Sequence, residues 1–113
     1  PFMTMDDGVR ALLELATAPA ERLTQIAYNI GAFSVSAEQL AKEVQHAFAN
    51  AEIRYEPHLL RQAIVDSWPM DVDDSAARTD WDWQPKHDFE AAFRDYLVPA
   101  ITARYVLSFG RTN

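Results

Sequence analysis

RQAIVDSWPMDVDDSAARTDWDW, residues 61–83, is the stretch that decides how this chain is interpreted. It contains all three tryptophans of the sequence, Trp68, Trp81 and Trp83. Apolar residues recur at helical spacing into it, which predicts a helix that Pro69 closes; its apolar face comprises Leu59, Leu60, Ala63, Ile64 and Trp68. Asp73-Asp74-Ser75 then predicts the start of a second helix. In that helix Asp74 and Arg78 stand four apart, in the order that favours an ion pair.

The flanking sequence predicts a mixture of helices and short strands. Apolar and polar residues alternate over residues 25–30 and 53–56, which predicts two short strands, and residues 2–5 are interpreted as a third. A capping box at residues 36–39 predicts a helix start, and Asp6 and Asp88 are the predicted N-caps of the first and last helices. Pro99 must kink or restart the last helix. The expected fold is α+β, a single domain over residues 1–113 with three strands, four to five helices and a flexible tail at 108–113.

Composition excludes several classes of function. The chain has 113 residues, a net charge of −7 and no cysteine. An acidic surface repels phosphate backbones, so we expect no nucleic acid partner. No apolar run is long enough for a membrane span, and residues 1–10 do not resemble a signal peptide. The absence of cysteine fits a reducing compartment, and we expect a cytoplasmic protein.

Residues for self-sufficient catalysis are missing. Gly8, Gly31 and Gly110 are too far apart in the sequence to form a phosphate-binding loop. The three histidines have no second ligand at helical spacing, so we expect no metal site, and we interpret them as partly exposed surface residues. Paired carboxylates at 6–7 and 73–74 fall at helix starts, where capping is the better interpretation. We therefore assign no catalytic residue.

Residues 61–69, RQAIVDSWP, followed by DDS, AR and DWDW up to Trp83, closely resemble a segment of the short-chain-type L-threonine dehydrogenases. Upstream, residues 3–10 and 28–31 resemble segments found more widely in extended short-chain dehydrogenases and nucleotide-sugar epimerases. The resemblance covers about residues 2–105. One departure is Asp82, which stands where the family usually has glycine. If that position has a positive φ, aspartate is one of the few residues that tolerate it.

The resemblance implies the carboxy-terminal, substrate-side part of an NAD-dependent L-threonine 3-dehydrogenase without its Rossmann half. Such an enzyme oxidises L-threonine to 2-amino-3-ketobutyrate, with NAD bound by the missing amino-terminal half, which is then the expected partner. The family's Tyr-x-x-x-Lys pair belongs to that half and is absent here, because none of the four tyrosines is followed four residues later by lysine. The small amino-acid substrate would enter a cleft that this domain closes.

Three residues are candidates for substrate binding. Trp68 and Ser67 could line the cleft, although a buried core position explains a tryptophan equally well. Arg61 could bind a substrate carboxylate, although pairing with Asp66 or another acid is the commoner arrangement. Trp81 and Trp83 are interpreted as structural.

Two other functions compete with this interpretation. The carboxy-terminal domain of a nucleotide-sugar epimerase or dehydratase would share the fold, and a non-catalytic protein-interaction module would explain the missing catalytic half. In either dehydrogenase or epimerase, the first strand and helix would normally pack on the missing part. We therefore expect the chain to expose an apolar face there, or to cover it in a homo-oligomer.

Overall fold

Helices carry the fold in the computed structural model, which describes the backbone of residues 1–109 and the side chains of residues 1–105. The elements follow in this order: α1 (Met5–Thr17), a 3₁₀ turn (Ala20–Arg22), α2 (Ala37–Ala47), α3 (Leu59–Asp66), α4 (Ser75–Trp81), α5 (Phe89–Ala91), a π-helical turn (Ala92–Leu97) and α6 (Val98–Phe109). No helix among the described residues is both long enough and apolar enough to cross a membrane. Of the expected tail, residues 108 and 109 continue α6, and residues 110–113 lie outside the described part.

The predicted α+β class with three strands is wrong for residues 1–109, which form no strand. All that remains of the sheet is an isolated antiparallel bridge, in which the amide of Phe2 donates to the carbonyl of Phe33 at 2.7 Å and the amide of Phe33 donates to the carbonyl of Phe2 at 3.2 Å. Residues 25–30 bend instead of extending, and Ile26 is fully exposed. A strand needs a neighbouring strand to pair its backbone groups, and alternation in the sequence does not supply one.

The helix starts are largely those that the sequence predicts. Ser36 and Gln39 form both bonds of the capping box, and Asp88 accepts a hydrogen bond from the amide of Ala91 at 2.9 Å. The predicted N-cap Asp6 is wrong, because α1 starts two residues earlier, at Met5, and Thr4 caps it. At α4 the cap position is Asp74, but its carboxylate pairs with Arg78 as predicted, at 2.8 Å.

The last helix restarts next to Pro99, as predicted. The amide of Val98 donates to the carbonyl of Phe93, five residues back, which is the spacing of a π turn. Pro99 then occupies the first turn of α6, where a missing amide donor removes no helical hydrogen bond. The π turn thus lets the chain continue as a helix through a residue that an uninterrupted α-helix would not accept.

The core is small and is built around Trp81 and Trp83, two of the three tryptophans within residues 61–83. Trp83 is completely buried and Trp81 nearly so, which confirms their structural role. Their rings lie 5.7 Å apart, and Ala11 of α1 and Ala77 of α4 pack against them. The indole nitrogen of Trp83 donates to the carbonyl of Gly31 at 3.2 Å. Through these contacts one cluster joins α1, α4 and the loop around residue 31.

Asp82 ends α4 in the left-handed conformation, with φ 61° and ψ 29°, so the positive φ that aspartate was expected to tolerate is present at this position. Its carboxylate lies 2.9 Å from Arg22, but both groups are exposed, so this pair contributes little. We predict that Asp82→Val lowers the free energy of unfolding by about 1–2 kcal/mol, because a β-branched residue is strained at positive φ. Asp82→Gly should change it by less than about 1 kcal/mol. Urea unfolding of both variants tests this, and equal effects would contradict it.

Helix α1 has its polar side turned toward the rest of the chain and its apolar side toward solvent. Asp7 is completely buried, whereas Met5, Val9, Leu12 and Leu13 are each more than half exposed. This confirms the expected apolar face, which we call the α1 stripe. The radius of gyration is 18.0 Å, against about 13 Å for a compact domain of this length. The described residues therefore leave a large part of their apolar surface exposed to solvent.

Candidate functional site

Residues 54–71, which we call the arm, form a second uncovered surface. Every residue of the arm is exposed, including all of α3. The apolar side chains within α3 cover more than half of its circumference. The large apolar side chains of the arm that are more than half exposed are Tyr55, Leu59, Leu60, Ile64, Val65, Trp68 and Met70. An eight-residue helix without tertiary contacts is marginal in water. The arm is therefore suited to a position between other surfaces.

The three predicted site residues all lie on the arm. Trp68 is 65% exposed, which rules out a core position within the described structure. Arg61 and Ile64 stand three apart in α3, whereas Trp68 lies two residues beyond the end of that helix, in a bend. Ser67 directly follows α3, and its hydroxyl donates to the carbonyl of Ile64 at 2.7 Å. The structure thus places all three residues on the exposed arm.

Arg61 is a cation with no hydrogen bond or ion pair to any other described residue. The alternative partner considered from the sequence, Asp66, instead accepts a hydrogen bond from Gln62 at 2.6 Å. Arg54, the other arginine of the arm, lies 3.7 Å from Glu52. In a chain of net charge −7, an exposed guanidinium with no partner among the described residues is well suited to bind a carboxylate.

An apolar cavity of about 260 Å³ lies away from the arm, between the first residues, α2 and the π turn. Phe33, Phe93 and Tyr96 form part of its wall, and Met5 of the α1 stripe stands at its edge. The lining carries few polar groups, so the cavity does not suit a small zwitterion. It adds to the apolar surface that the chain leaves open beside α1.

The most buried polar group is Asp7, which links the start of the chain to residues 84–87. Its carboxylate accepts hydrogen bonds from the side chain of Arg10 at 2.8 Å and from the amides of Lys86 and His87 at 2.8 and 3.1 Å. Burial alone would raise the pKa of Asp7, but these hydrogen bonds outweigh it and lower the pKa to about 2. Asp7 is therefore ionised at neutral pH, and its neighbours identify it as structural.

The imidazole of His87 completes this cluster. Its Nδ1 lies 3.2 Å from both Asp7 and Thr4, and the ring is almost completely buried. The expectation that all three histidines are partly exposed is therefore wrong for His87, while His46 and His58 are exposed. A second buried carboxylate, Asp80, accepts the hydroxyl of Tyr28 at 2.6 Å and the amide and hydroxyl of Thr24.

Sequence reasoning missed these two carboxylates. Asp7 was interpreted as a helix cap because it follows Asp6 at a helix start, but the amides it accepts lie about 80 residues away. No local sequence pattern predicts a contact between residues that are so far apart in the chain. No group of three or more potential metal ligands occurs among the residues that the structure describes.

Comparison with known proteins points to dehydrogenases. The chain is 50% identical over 90 residues to the mitochondrial L-threonine 3-dehydrogenase of Bos taurus, and 37% identical over 101 residues to an uncharacterised epimerase/dehydratase of Staphylococcus haemolyticus. The crystal structure of L-threonine dehydrogenase from Phytophthora infestans superimposes with a TM-score of 0.83 at 35% identity. No protein-family model matches the chain.

These matches cover most of this chain but only part of each relative. The Bos taurus match covers 80% of this chain and 24% of that protein, and the Staphylococcus haemolyticus match covers 88% and 31%. The Phytophthora infestans structure is matched over 92% of this chain and 33% of its own. The chain therefore corresponds to a segment of these longer proteins. Two thirds or more of each relative has no counterpart here.

Proposed function

We propose that this chain is the substrate-side part of an NAD-dependent L-threonine 3-dehydrogenase. The premise is that the chain corresponds to a segment of L-threonine 3-dehydrogenases and of epimerase/dehydratase proteins. The complete enzyme would oxidise L-threonine to 2-amino-3-ketobutyrate and pass the hydride to NAD. The observation that carries the proposal is the 50% identity to the Bos taurus enzyme over most of this chain. The exposed arm with Arg61 and Trp68 supports it from the geometry.

The nicotinamide cofactor does not fit the residues present here. Among the described residues, Gly8 lies inside α1 and Gly31 in a loop, so no glycine-rich turn leads into a helix where a pyrophosphate could bind. NAD would be held by the part of the protein that this chain lacks. The catalytic tyrosine and lysine would belong to that part too, so this chain would be inactive alone.

The arm would contribute a wall of the substrate cleft. A charged guanidinium and a rigid indole on the same arm could hold the carboxylate of a small amino acid and exclude water from it. The apolar side chains around them would lie against the NAD-binding half, which removes the exposure seen in α3. The α1 stripe would pack on that half as well. Either surface could instead be shared with a second copy of the enzyme.

The test joins this chain to the amino-terminal part of the Bos taurus relative and follows NAD reduction with L-threonine. We refer to this polypeptide as the joined protein. We expect NADH formation by the joined protein and none by the 113-residue chain alone. A folded joined protein that binds NAD but does not oxidise L-threonine would contradict the proposal and favour a non-catalytic interaction module.

Arg61→Gln in the joined protein should raise the KM for L-threonine by about 10- to 100-fold, because a hydrogen bond to a charged group contributes about 1.5–3 kcal/mol. The KM for NAD should stay unchanged. Arg54→Gln is the matched control, since Arg54 is an exposed arginine of the same arm with a neighbouring Glu52. Steady-state kinetics of the two variants decides the role of Arg61. Equal effects of both substitutions would contradict it.

A nucleotide-sugar epimerase or dehydratase is the second candidate, favoured by the match to the Staphylococcus haemolyticus protein. Such a substrate carries a diphosphate and calls for several basic groups. The same joined protein, assayed with nucleotide sugars in place of L-threonine, separates the two candidates.

We propose a cytoplasmic location for the protein, which agrees with the absence of cysteine. The Bos taurus relative is named as a mitochondrial protein. Fractionation of cells that produce the protein distinguishes the two locations.

A further inference from the structure

The arm is attached to the core through one short contact region, which we call the socket, formed by residues 29–34. The carbonyl of Gly31 is held by the indole of Trp83, the completely buried centre of the core. A Cβ atom added at Gly31 would stand 3.1 Å from Cγ2 of Val72 and 3.8 Å from a carboxylate oxygen of Asp74. Val72 directly follows the arm. The backbone of Gly31 therefore sits against the point where the arm leaves the core.

Two polar contacts flank this apolar one. The hydroxyl of Ser34 donates to the carboxylate of Asp71 at 3.0 Å, and the side-chain amide of Asn29 donates to the backbone carbonyl of Asp73 at 3.4 Å. Both join the socket to the residues on either side of Val72. Gly31 has no positive φ, so its backbone conformation does not require glycine. A Cβ at this position would be unusually close to Val72, so a substitution would require Val72 to move by a few tenths of an ångström.

We propose that Gly31 is a positioning residue that sets the angle at which the arm presents Arg61 and Trp68. Gly31 touches neither substrate nor cofactor in this scheme, and it acts through Val72. The proposal rests on the proposed function for its kinetic consequences, whereas the mechanical link between socket and arm stands independently. A side chain at residue 31 would push Val72 outward by a few tenths of an ångström. Val72 adjoins the arm, so we expect its displacement to change the position of α3.

The first experiment measures the position of the arm in the 113-residue chain. Because the sequence has no cysteine, Asp6→Cys on α1 and Gln62→Cys on the arm give one unique pair of spin labels. We expect the distance between the labels to shift in Gly31→Ala and to shift further in Gly31→Val. Gly8→Ala is the matched control, since its new Cβ would meet only Sδ of Met3 at 3.6 Å, an ordinary contact. The control should leave the distance unchanged.

The second experiment measures kinetics in the joined protein. Gly31→Ala should raise the KM for L-threonine by about three- to tenfold with kcat and the KM for NAD within about twofold, because a small misplacement of a binding group weakens substrate positioning. Ser34→Ala should raise this KM by less, and Gly8→Ala should not change it. If Gly31→Ala fails to fold, Ser34→Ala provides the answer, since it removes a hydrogen bond without adding volume.

The outcomes separate this proposal from the proposed function. Unchanged label distances in Gly31→Ala, Gly31→Val and Ser34→Ala would overturn the positioning role, and so would a fall in kcat at constant KM. If the joined protein oxidises no L-threonine at all, the proposed function fails, while the label distances still decide whether residue 31 sets the arm.

Discussion

Trp83→Ala is expected to lower the free energy of unfolding by about 3–5 kcal/mol, the range for truncating a fully buried aromatic side chain. Trp83 has no exposed surface, contacts Trp81, and holds the carbonyl of Gly31 through its indole nitrogen. Its removal leaves a cavity at the centre of the core and an unpaired carbonyl. The guanidinium of Arg10, 4.9 Å from the ring centre, loses its aromatic neighbour too. Urea unfolding followed by circular dichroism measures the change.

Trp68→Ala is the control for this substitution and should leave the free energy of unfolding almost unchanged. Trp68 is 65% exposed, so its loss should change the stability of the chain by less than about 0.5 kcal/mol. In the joined protein the same substitution should raise the KM for L-threonine. Similar destabilisation by the two substitutions would show that both tryptophans are structural and would remove the arm from the substrate site.

Asp7→Asn is expected to lower the free energy of unfolding at neutral pH by about 2–3 kcal/mol. An amide of the same shape cannot accept all the bonds that Arg10, Lys86 and His87 donate to the carboxylate, and its own amino group would face other donors. Asp6→Asn is the matched control, because Asp6 is the exposed neighbour in the same turn. It should change stability by less than about 0.5 kcal/mol.

The effect of Asp7 should depend on pH in a defined direction. Its pKa in the folded chain is about 2, below the ordinary value of 3.8, so folding favours the ionised form. The stabilisation is complete above the unfolded pKa and is lost as pH falls through 3.8 toward 2. Unfolding measured from pH 7 to pH 2 should therefore show the wild type and Asp7→Asn converging at the acid end. A difference that stays constant over this range would contradict the pKa of Asp7.

The sequence predicts what depends on neighbours along the chain. Three predicted features each involve residues within five positions of one another: the capping box at Ser36, the pair Asp74–Arg78 and the restart at Pro99. Helical periodicity also identifies the apolar face of α1, and it is this face that solvent covers in the structure. The resemblance, carried by residues 61–83, identifies the relatives.

What could not be predicted depends on distant partners. The strand at residues 25–30 has the right alternation, but a strand is stable only beside another strand, and none is present among residues 1–109. The contacts of Asp7 with Lys86 and His87 join the two ends of the chain, and nothing in either local sequence requires them. For the candidate site, the sequence named Arg61, Ser67 and Trp68 as candidates, but whether Trp68 is buried could be learned only from the structure.

The α1 stripe and the arm both leave large apolar side chains exposed to water. A protein this small cannot easily offset the free-energy cost of that exposure, because hydrophobic burial is the main favourable contribution to folding. The relatives are three to four times longer than the matched segment, so the material to cover both surfaces exists in proteins of this kind. This is why we assign the two surfaces to contacts with a NAD-binding half.

Amide hydrogen exchange, compared between the 113-residue chain and the joined protein, tests this assignment most directly. We predict that the amides of α3 exchange rapidly in the chain alone and are protected in the joined protein, with slower opening of α1 as well. Addition of NAD and L-threonine should increase the protection of α3 further. Equal exchange of α1 and α3 in the two polypeptides would mean that neither surface is an interface with the NAD-binding half, and the account would be wrong.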